Sequence, residues 1–255
     1  AFTTRPEIVG TFGVCASTHW IATAAGFGIL ERGGNAFDAA VATSLALGVA
    51  RPYGTGLTGG GFLLAWHAES ADFVVLDFRE TAPAGAAPQR YADALAADPD
   101  GPPPAIFGGN GVGVPGLLAG LVEINRRFGA RPFAELVEPA IALAQRGVPT
   151  DVDWQKACRH IVGTFERWPQ MRRTSGRLAD VFLVDGDVPP LGTPRPNPGL
   201  ADALRLIATR GPQALYDGPI GAAIVQATQA AGGTLTAADL RDYRPAVHTP
   251  LRMRY

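Results

Sequence analysis

Lysine is almost missing from this sequence. Lys156 is the only one, so the basic residues are arginines, and 22 Lys and Arg against 23 Asp and Glu leave a formal net charge of -1. A near-neutral chain whose two signs are interspersed has no long-range field to draw it to nucleic acid or to an anionic membrane. Cysteine is scarce too. Cys15 and Cys158 could close one bridge in an oxidising compartment, which is too little to define a disulfide scaffold. No run of about 18 apolar residues occurs, so no membrane-spanning helix is expected. The opening AFTTRPEIVG lacks the basic-then-apolar profile of a secretory signal and reads as what cleavage of one would leave. His19, His67, His160 and His248 are scattered without metal-ligand spacing, so neither a metal nor a cofactor is expected. A G-x-S-x-G elbow is absent, and nothing in the sequence supplies a partner for Ser17, Ser44, Ser70 or Ser175.

What is present is enough apolar material, 47% of 255 residues, for one large domain or two small ones. Helical spacing from Thr18 to Gly34 predicts a first helix capped by Ser17 or Thr18, and AFDAAVATSLALGVA predicts a second, buried on most sides. A glycine-dense loop, RPYGTGLTGGGF, leads into FLLAWH and DFVVLDF, which read as a β-hairpin turning at Glu69 to Asp72. Residues 82 to 110 are too rich in proline for regular structure and are expected to be loop. Further helices are expected at PGLLAGLVEINRRFG, opening on Pro115, at PFAELVEPAIALAQRG, around DWQKACRHIVGTFERW and three times in the last third. PPLGTPRPNP between them reads as a stiff connector. VHTPLRMRY looks like the start of a strand, and its domain is expected to continue beyond it. The fold class is therefore α+β with helices dominant.

Two glycine patterns suggest a dinucleotide site, GTGLTG at Gly54 to Gly59 and GVGVPG at Gly111 to Gly116. The first has a helix before it and a strand after it, the reverse of what a pyrophosphate cradle requires, and the second has only the weak run AIF as its strand. Tight turns and close backbone approach explain both more simply. A Cys15/His19 catalytic pair would need the first helix to begin early, against its cap signal, and Cys158 and His160 lie two apart on a helix and do not face each other.

Arg79, in LDFRETAP, has two readings. If the strand runs from Phe73 to Arg79, alternation puts Asp77 and Arg79 on one face, where they could form a structural ion pair of little energetic weight. Alternatively the guanidinium fork at a strand end offers a bidentate site for a ligand carboxylate.

Taken together, GGNAFDAAVATSLAL (33 to 47), TGGGF (58 to 62), LDFRETAPAGA (76 to 86), GVGVPGLLAGL (111 to 121), EPAIALAQRGVP (138 to 149), ALYDGPIGAAIV (214 to 225) and AGGTLTAADLRDYRP (231 to 245) resemble the large subunit of γ-glutamyltranspeptidases, N-terminal-nucleophile hydrolases. The segments stand in family order along nearly the whole chain. The resemblance implies an αββα sandwich in which residues 1 to 255 contribute mostly helices and a hairpin, completed by a small subunit in a heterodimer or a dimer of heterodimers. It implies an autocatalytic cut that frees an N-terminal threonine on the small subunit, with the threonine's own amine as base. That threonine takes the γ-glutamyl group of glutathione or a related amide and passes it to water or an amino acid. The arginine of the family's FRE motif, which holds the donor α-carboxylate, is Arg79 here. Asp77 and Glu80 are expected to orient it, and Gly59, Gly60 and Gly61 to pack closely under the site. No catalytic residue is expected within this chain, because it contains no Thr-Thr-His type processing site. A periplasmic or secreted location is expected, since family members are usually exported.

Three positions depart from the family pattern. His19-Trp20 and Arg51-Pro52 stand where His-Pro pairs are usual, and Thr58 stands where a further glycine is common. They lie around the donor pocket or its supports, which keeps two alternatives open: a cephalosporin (glutaryl) acylase or polyglutamate-acting enzyme on the same scaffold, and a noncatalytic binding homologue.

Overall fold

A computed structural model describes residues 9–174 and 176–254. Ser175 and AFTTRPEI, the part of the start read as a cleavage product, fall outside them. The chain runs α1 (Trp20–Glu31), α2 (Ala36–Ala50), β1 (Phe62–His67), β2 (Asp72–Asp77), α3 (Pro88–Ala97), α4 (Leu117–Phe128), α5 (Phe133–Arg146), β3 (Val148–Pro149), α6 (Val152–Arg167), α7 (Met171–Thr174), α8 (Gly176–Phe182), β4 (Pro194–Arg195), α9 (Pro198–Arg210), α10 (Gln213–Tyr216), α11 (Pro219–Ala230), α12 (Ala237–Asp242) and β5 (Ala246–His248).

The small, apolar α2 lies at the centre of the main core, packed on α1, α4 and α5. Its N-terminus is closed by a capping box. The Asn35 side chain accepts from Asp38 N–H while the Asp38 carboxylate accepts from Asn35 N–H. Asp38 is fully buried, a position costly for a carboxylate unless its lone pairs are filled. They are filled: Ala130 N–H and the Asn125 amide also donate to it, at 3.0 and 3.3 Å.

The hairpin forms as its sequence predicts, with Phe62 opposite Asp77 and His67 opposite Asp72, and β5 adds antiparallel to β2. Alternation then sorts the sheet into two faces. Leu63, Leu76 and, just past the strand, Phe78 point into the main core. The opposite face carries Phe62, Leu64, Trp66 and Phe73, all exposed.

The structure corrects several expectations. The cap of α1 is His19, whose ring Nδ1 accepts from Ile21 N–H at 3.2 Å. The proline-rich stretch holds a helix, α3, because Pro88 occupies its first turn, where a missing N–H costs nothing. Pro115 does not open α4; Gly116 is its N-cap. The connector 189–198 contributes β4, paired with β3. Strand β2 stops at Asp77, two residues short of Arg79. Both cysteines are free: Cys15 faces the Thr43 hydroxyl, and Cys158 donates to the Phe182 carbonyl.

Candidate functional site

Past Asp77 the ladder continues for one more pair without strand geometry. Gly61 N–H donates to the Phe78 carbonyl at 3.2 Å and Phe78 N–H to the Gly61 carbonyl at 3.0 Å. This brings Gly60 directly under residues 78 to 80. A Cβ on Gly60 would lie 2.5 Å from Glu80 Oε2, 2.7 Å from the Phe78 carbonyl and 2.8 Å from Glu80 N, and two of those three are backbone. Gly59 turns its carbonyl to the start of α4, where Gly116 and Leu117 N–H donate at 2.9 and 2.7 Å. Val114 N–H donates to the Thr81 carbonyl at 2.8 Å. The glycine loop and the second glycine pattern thus clasp one strand end between them through close backbone approach.

Arg79 N–H donates to Asp77 Oδ1 at 2.9 Å, and the Arg79 carbonyl accepts from the Tyr243 hydroxyl at 2.8 Å. Its side chain is 54% exposed, with Nη1 3.1 Å from Glu80 Oε2. That contact is an ion pair outside hydrogen-bond geometry, and Glu80 Oε2 accepts no hydrogen bond among the described residues although it is shielded from solvent. The partner of the guanidinium is therefore Glu80, not Asp77, because the strand ends before alternation can set Asp77 beside it. Asp77 holds the Arg79 backbone instead, and its other oxygen lies 3.5 Å from His248 Nε2. Glu80 meets only Nη1 of a guanidinium that is itself half exposed, so it biases the fork without consuming it. Donors remain for a planar, two-oxygen anion.

Sequence reasoning missed Tyr243, which is 164 residues away from its partner and 8% exposed. Burial, with the negative charges of Asp77 and Glu80, pushes its phenol up to about 12, so it remains a donor at neutral pH.

Two of the three departures, at His19 and Arg51, meet in space. Arg51 Nη1 donates to the Thr18 carbonyl at 3.2 Å, and its Nε to the Tyr53 hydroxyl at 3.1 Å. His19 Nε2 lies 3.4 Å from Asp151 Oδ2, and Asp151 in turn caps α6 through Trp154 N–H. His19 is buried and its pKa is lowered. Desolvation is the main cause, Arg51 and Arg195 add to it, and Asp151 opposes it.

The family model described as gamma-glutamyltranspeptidase matches residues 22–255. The chain belongs to the gamma-glutamyltranspeptidase family. A glutathione hydrolase proenzyme of Bacillus subtilis (strain 168) is 34% identical over 244 residues, 95% of this chain and 40% of that protein. An acylase ACY 1 proenzyme of Pseudomonas sp. (strain SE83) is 37% identical over 252 residues, 96% of this chain and 43% of that one. The crystal structure of Helicobacter pylori gamma-glutamyltranspeptidase superposes with a TM-score of 0.85 at 29% identity, covering 96% of this chain and 68% of that chain. The chain thus spans about two fifths of the curated relatives it matches. Its mostly helical body with small antiparallel sheets is part of an N-terminal-nucleophile hydrolase fold. No helix among the described residues is long and apolar enough to cross a membrane.

Proposed function

We propose that this chain is the large-subunit part of a γ-glutamyltransferase or γ-glutamyl hydrolase, in which Arg79 binds the α-carboxylate of the donor. The observation that carries the reading is the contrast at Arg79 itself, a backbone bonded at both N–H and C=O beneath a guanidinium left half exposed. A threonine on a second, small subunit would be the nucleophile. Its hydroxyl oxygen gives its proton to the threonine's own amine and attacks the γ-carbonyl; an ester forms as the amide C–N bond breaks, and the leaving amine takes that proton. Water or an amino acid then opens the ester. The uncovered sheet face of Phe62, Leu64, Trp66 and Phe73 suits an αββα sandwich, since a second sheet would bury it and bring its own residues to the Arg79 end. Export to the periplasm or the medium belongs to the same proposal.

The test is Arg79→Lys in the full-length, processed enzyme. A point charge does not replace a planar fork, so kcat/KM for a γ-glutamyl anilide should fall at least about tenfold, with the loss mainly in KM. Near-normal KM and kcat would sink the carboxylate role.

A second reading, glutaryl or other amide acylase, is favoured by one observation: the acylase relative is as similar to this chain as the glutathione hydrolase is. Arg79 does not separate the two, because a glutaryl group also ends in a carboxylate. The α-amino group does, so turnover of a γ-glutamyl anilide against a glutaryl amide decides between them. An intact-mass spectrum showing a second chain that starts with threonine would exclude a noncatalytic homologue.

A further inference from the structure

We infer that the segment 243–248 positions Arg79 for the donor carboxylate, with the Tyr243 hydroxyl as its principal contact. Arg79 offers two backbone groups: one bonds directly to this distant segment, and the other bonds to Asp77, on the strand that pairs with β5. Its carbonyl accepts from Tyr243 at 2.8 Å. Its N–H donates to Asp77, and the other oxygen of Asp77 lies 3.5 Å from His248, on β5, which itself pairs with β2. With both peptide groups held, the Cα–Cβ direction of Arg79 is fixed, which is what a clamp of defined orientation needs at its root. Glu80 alone does not supply this, as it meets the guanidinium at a single nitrogen and leaves the Arg79 peptide groups untouched.

Tyr243 is itself held firmly. Its ring stacks on Tyr216, centroids 6.2 Å apart and planes 11° apart. The Tyr216 hydroxyl accepts from Ala119 N–H and donates to the Pro115 carbonyl, fastening the pair to the start of α4. Gly116 leaves the Tyr243 hydroxyl its room, since a Cβ there would lie 2.4 Å from it. Tyr243 is a positioning residue: it touches the arginine's backbone and not the reacting atoms.

This inference rests on Arg79 binding the donor, and the test separates the two. In the processed enzyme, Tyr243→Phe keeps the stacked ring and removes one hydrogen bond. KM for a γ-glutamyl anilide should rise about threefold to tenfold with kcat little changed. Selectivity for that donor over its α-carboxamide should fall by the same factor, and the effect should vanish in an Arg79→Lys background. An equal loss on both donors, or additivity with Arg79→Lys, overturns the positioning role. A normal Arg79→Lys enzyme overturns the reading beneath it instead. Should Tyr243→Phe fail to mature, Asp77→Ala removes the acceptor at the other end of the grip. It must then raise the donor KM in the same way, and an unchanged KM overturns the inference.

Discussion

Two regions of this molecule are held together by different means. Around Arg79 the fixing bonds are mostly main chain: Gly61 with Phe78, Gly59 with Gly116 and Leu117, Val114 with Thr81. Around α6 they are side chains. Trp154 stacks on Phe182 at 4.7 Å and donates from Nε1 to the Phe182 carbonyl, Arg195 lies over the Trp154 ring, and Asp151 caps the helix while facing His19. The first region depends on the absence of side chains, because backbone can approach backbone only where no Cβ intervenes. The second depends on their presence, and on the charges they carry. A methyl group should therefore wreck the first region and leave the second intact, while a change of pH should do the reverse.

The largest effect expected is from Gly60→Ala. Its Cβ would meet the Phe78 carbonyl and Glu80 N at distances no real Cβ shows, and backbone held on both sides cannot yield. Overpacking of that kind costs about 3 kcal/mol or more, read as a lower midpoint in urea unfolding or as failed maturation. A Gly60→Ala protein of wild-type stability would show that the strand end is looser than its bonding implies.

Next in size is Trp154→Phe in the second region. The ring is 2% exposed, so the change removes one buried hydrogen bond and part of an aromatic surface, about 2 kcal/mol together. Among the described residues the Phe182 carbonyl then has only the Cys158 thiol left to bond. The donor KM should not move, since this damage lies outside the clasp around Arg79.

The same contrast decides what was legible in the sequence. Helix α2 and the hairpin follow from local pattern, and both form where the pattern puts them, at Ala36–Ala50 and at Phe62–His67 with Asp72–Asp77. Arg79 stood out because charge directly after an apolar strand is a local signal. Its partners did not. That Glu80 and not Asp77 meets the guanidinium depends on where the strand stops, a matter of one or two residues that periodicity does not resolve. That Tyr243 holds its carbonyl depends on tertiary structure across 164 residues, for which a single sequence has no period. Helix α3 is hidden by the prolines around it, which read as loop, although Pro88 occupies only its first turn. His19 was passed over as a cap because histidine is not among the preferred capping residues.

A smaller effect, of opposite sign, comes from Gly163→Ala. Gly163 lies inside α6, and a Cβ there would meet nothing within 4 Å. Alanine loses less backbone freedom than glycine on entering a helix, so the protein should gain about 0.5 to 1 kcal/mol. Paired with Gly60→Ala, the same substitution then gives opposite signs in the two regions. A destabilised Gly163→Ala protein would mean that this face of α6 is covered in the complete molecule.

The smallest effect at neutral pH, and the sharpest test of the charged region, is expected from His19→Asn. Asparagine caps helices well, so at pH 7 the change should stay within about 0.5 kcal/mol. The difference emerges on acidification. His19 has its folded pKa below the ordinary histidine value of 6.5, chiefly because burial disfavours the imidazolium, with Arg51 and Arg195 adding to it and Asp151 opposing. Between the folded pKa and 6.5 the unfolded chain binds more protons than the folded one, so stability rises with pH across that window and falls as pH drops through it. Protonation at Nδ1 would also remove the acceptor that caps Ile21. His19→Asn should therefore flatten the acid limb of the wild-type stability profile below 6.5 and leave the profile above it unchanged. If wild type and variant lose stability in parallel below pH 6.5, the acid sensitivity lies elsewhere, and the contrast between a backbone-built end and a charge-built end loses its main electrostatic support.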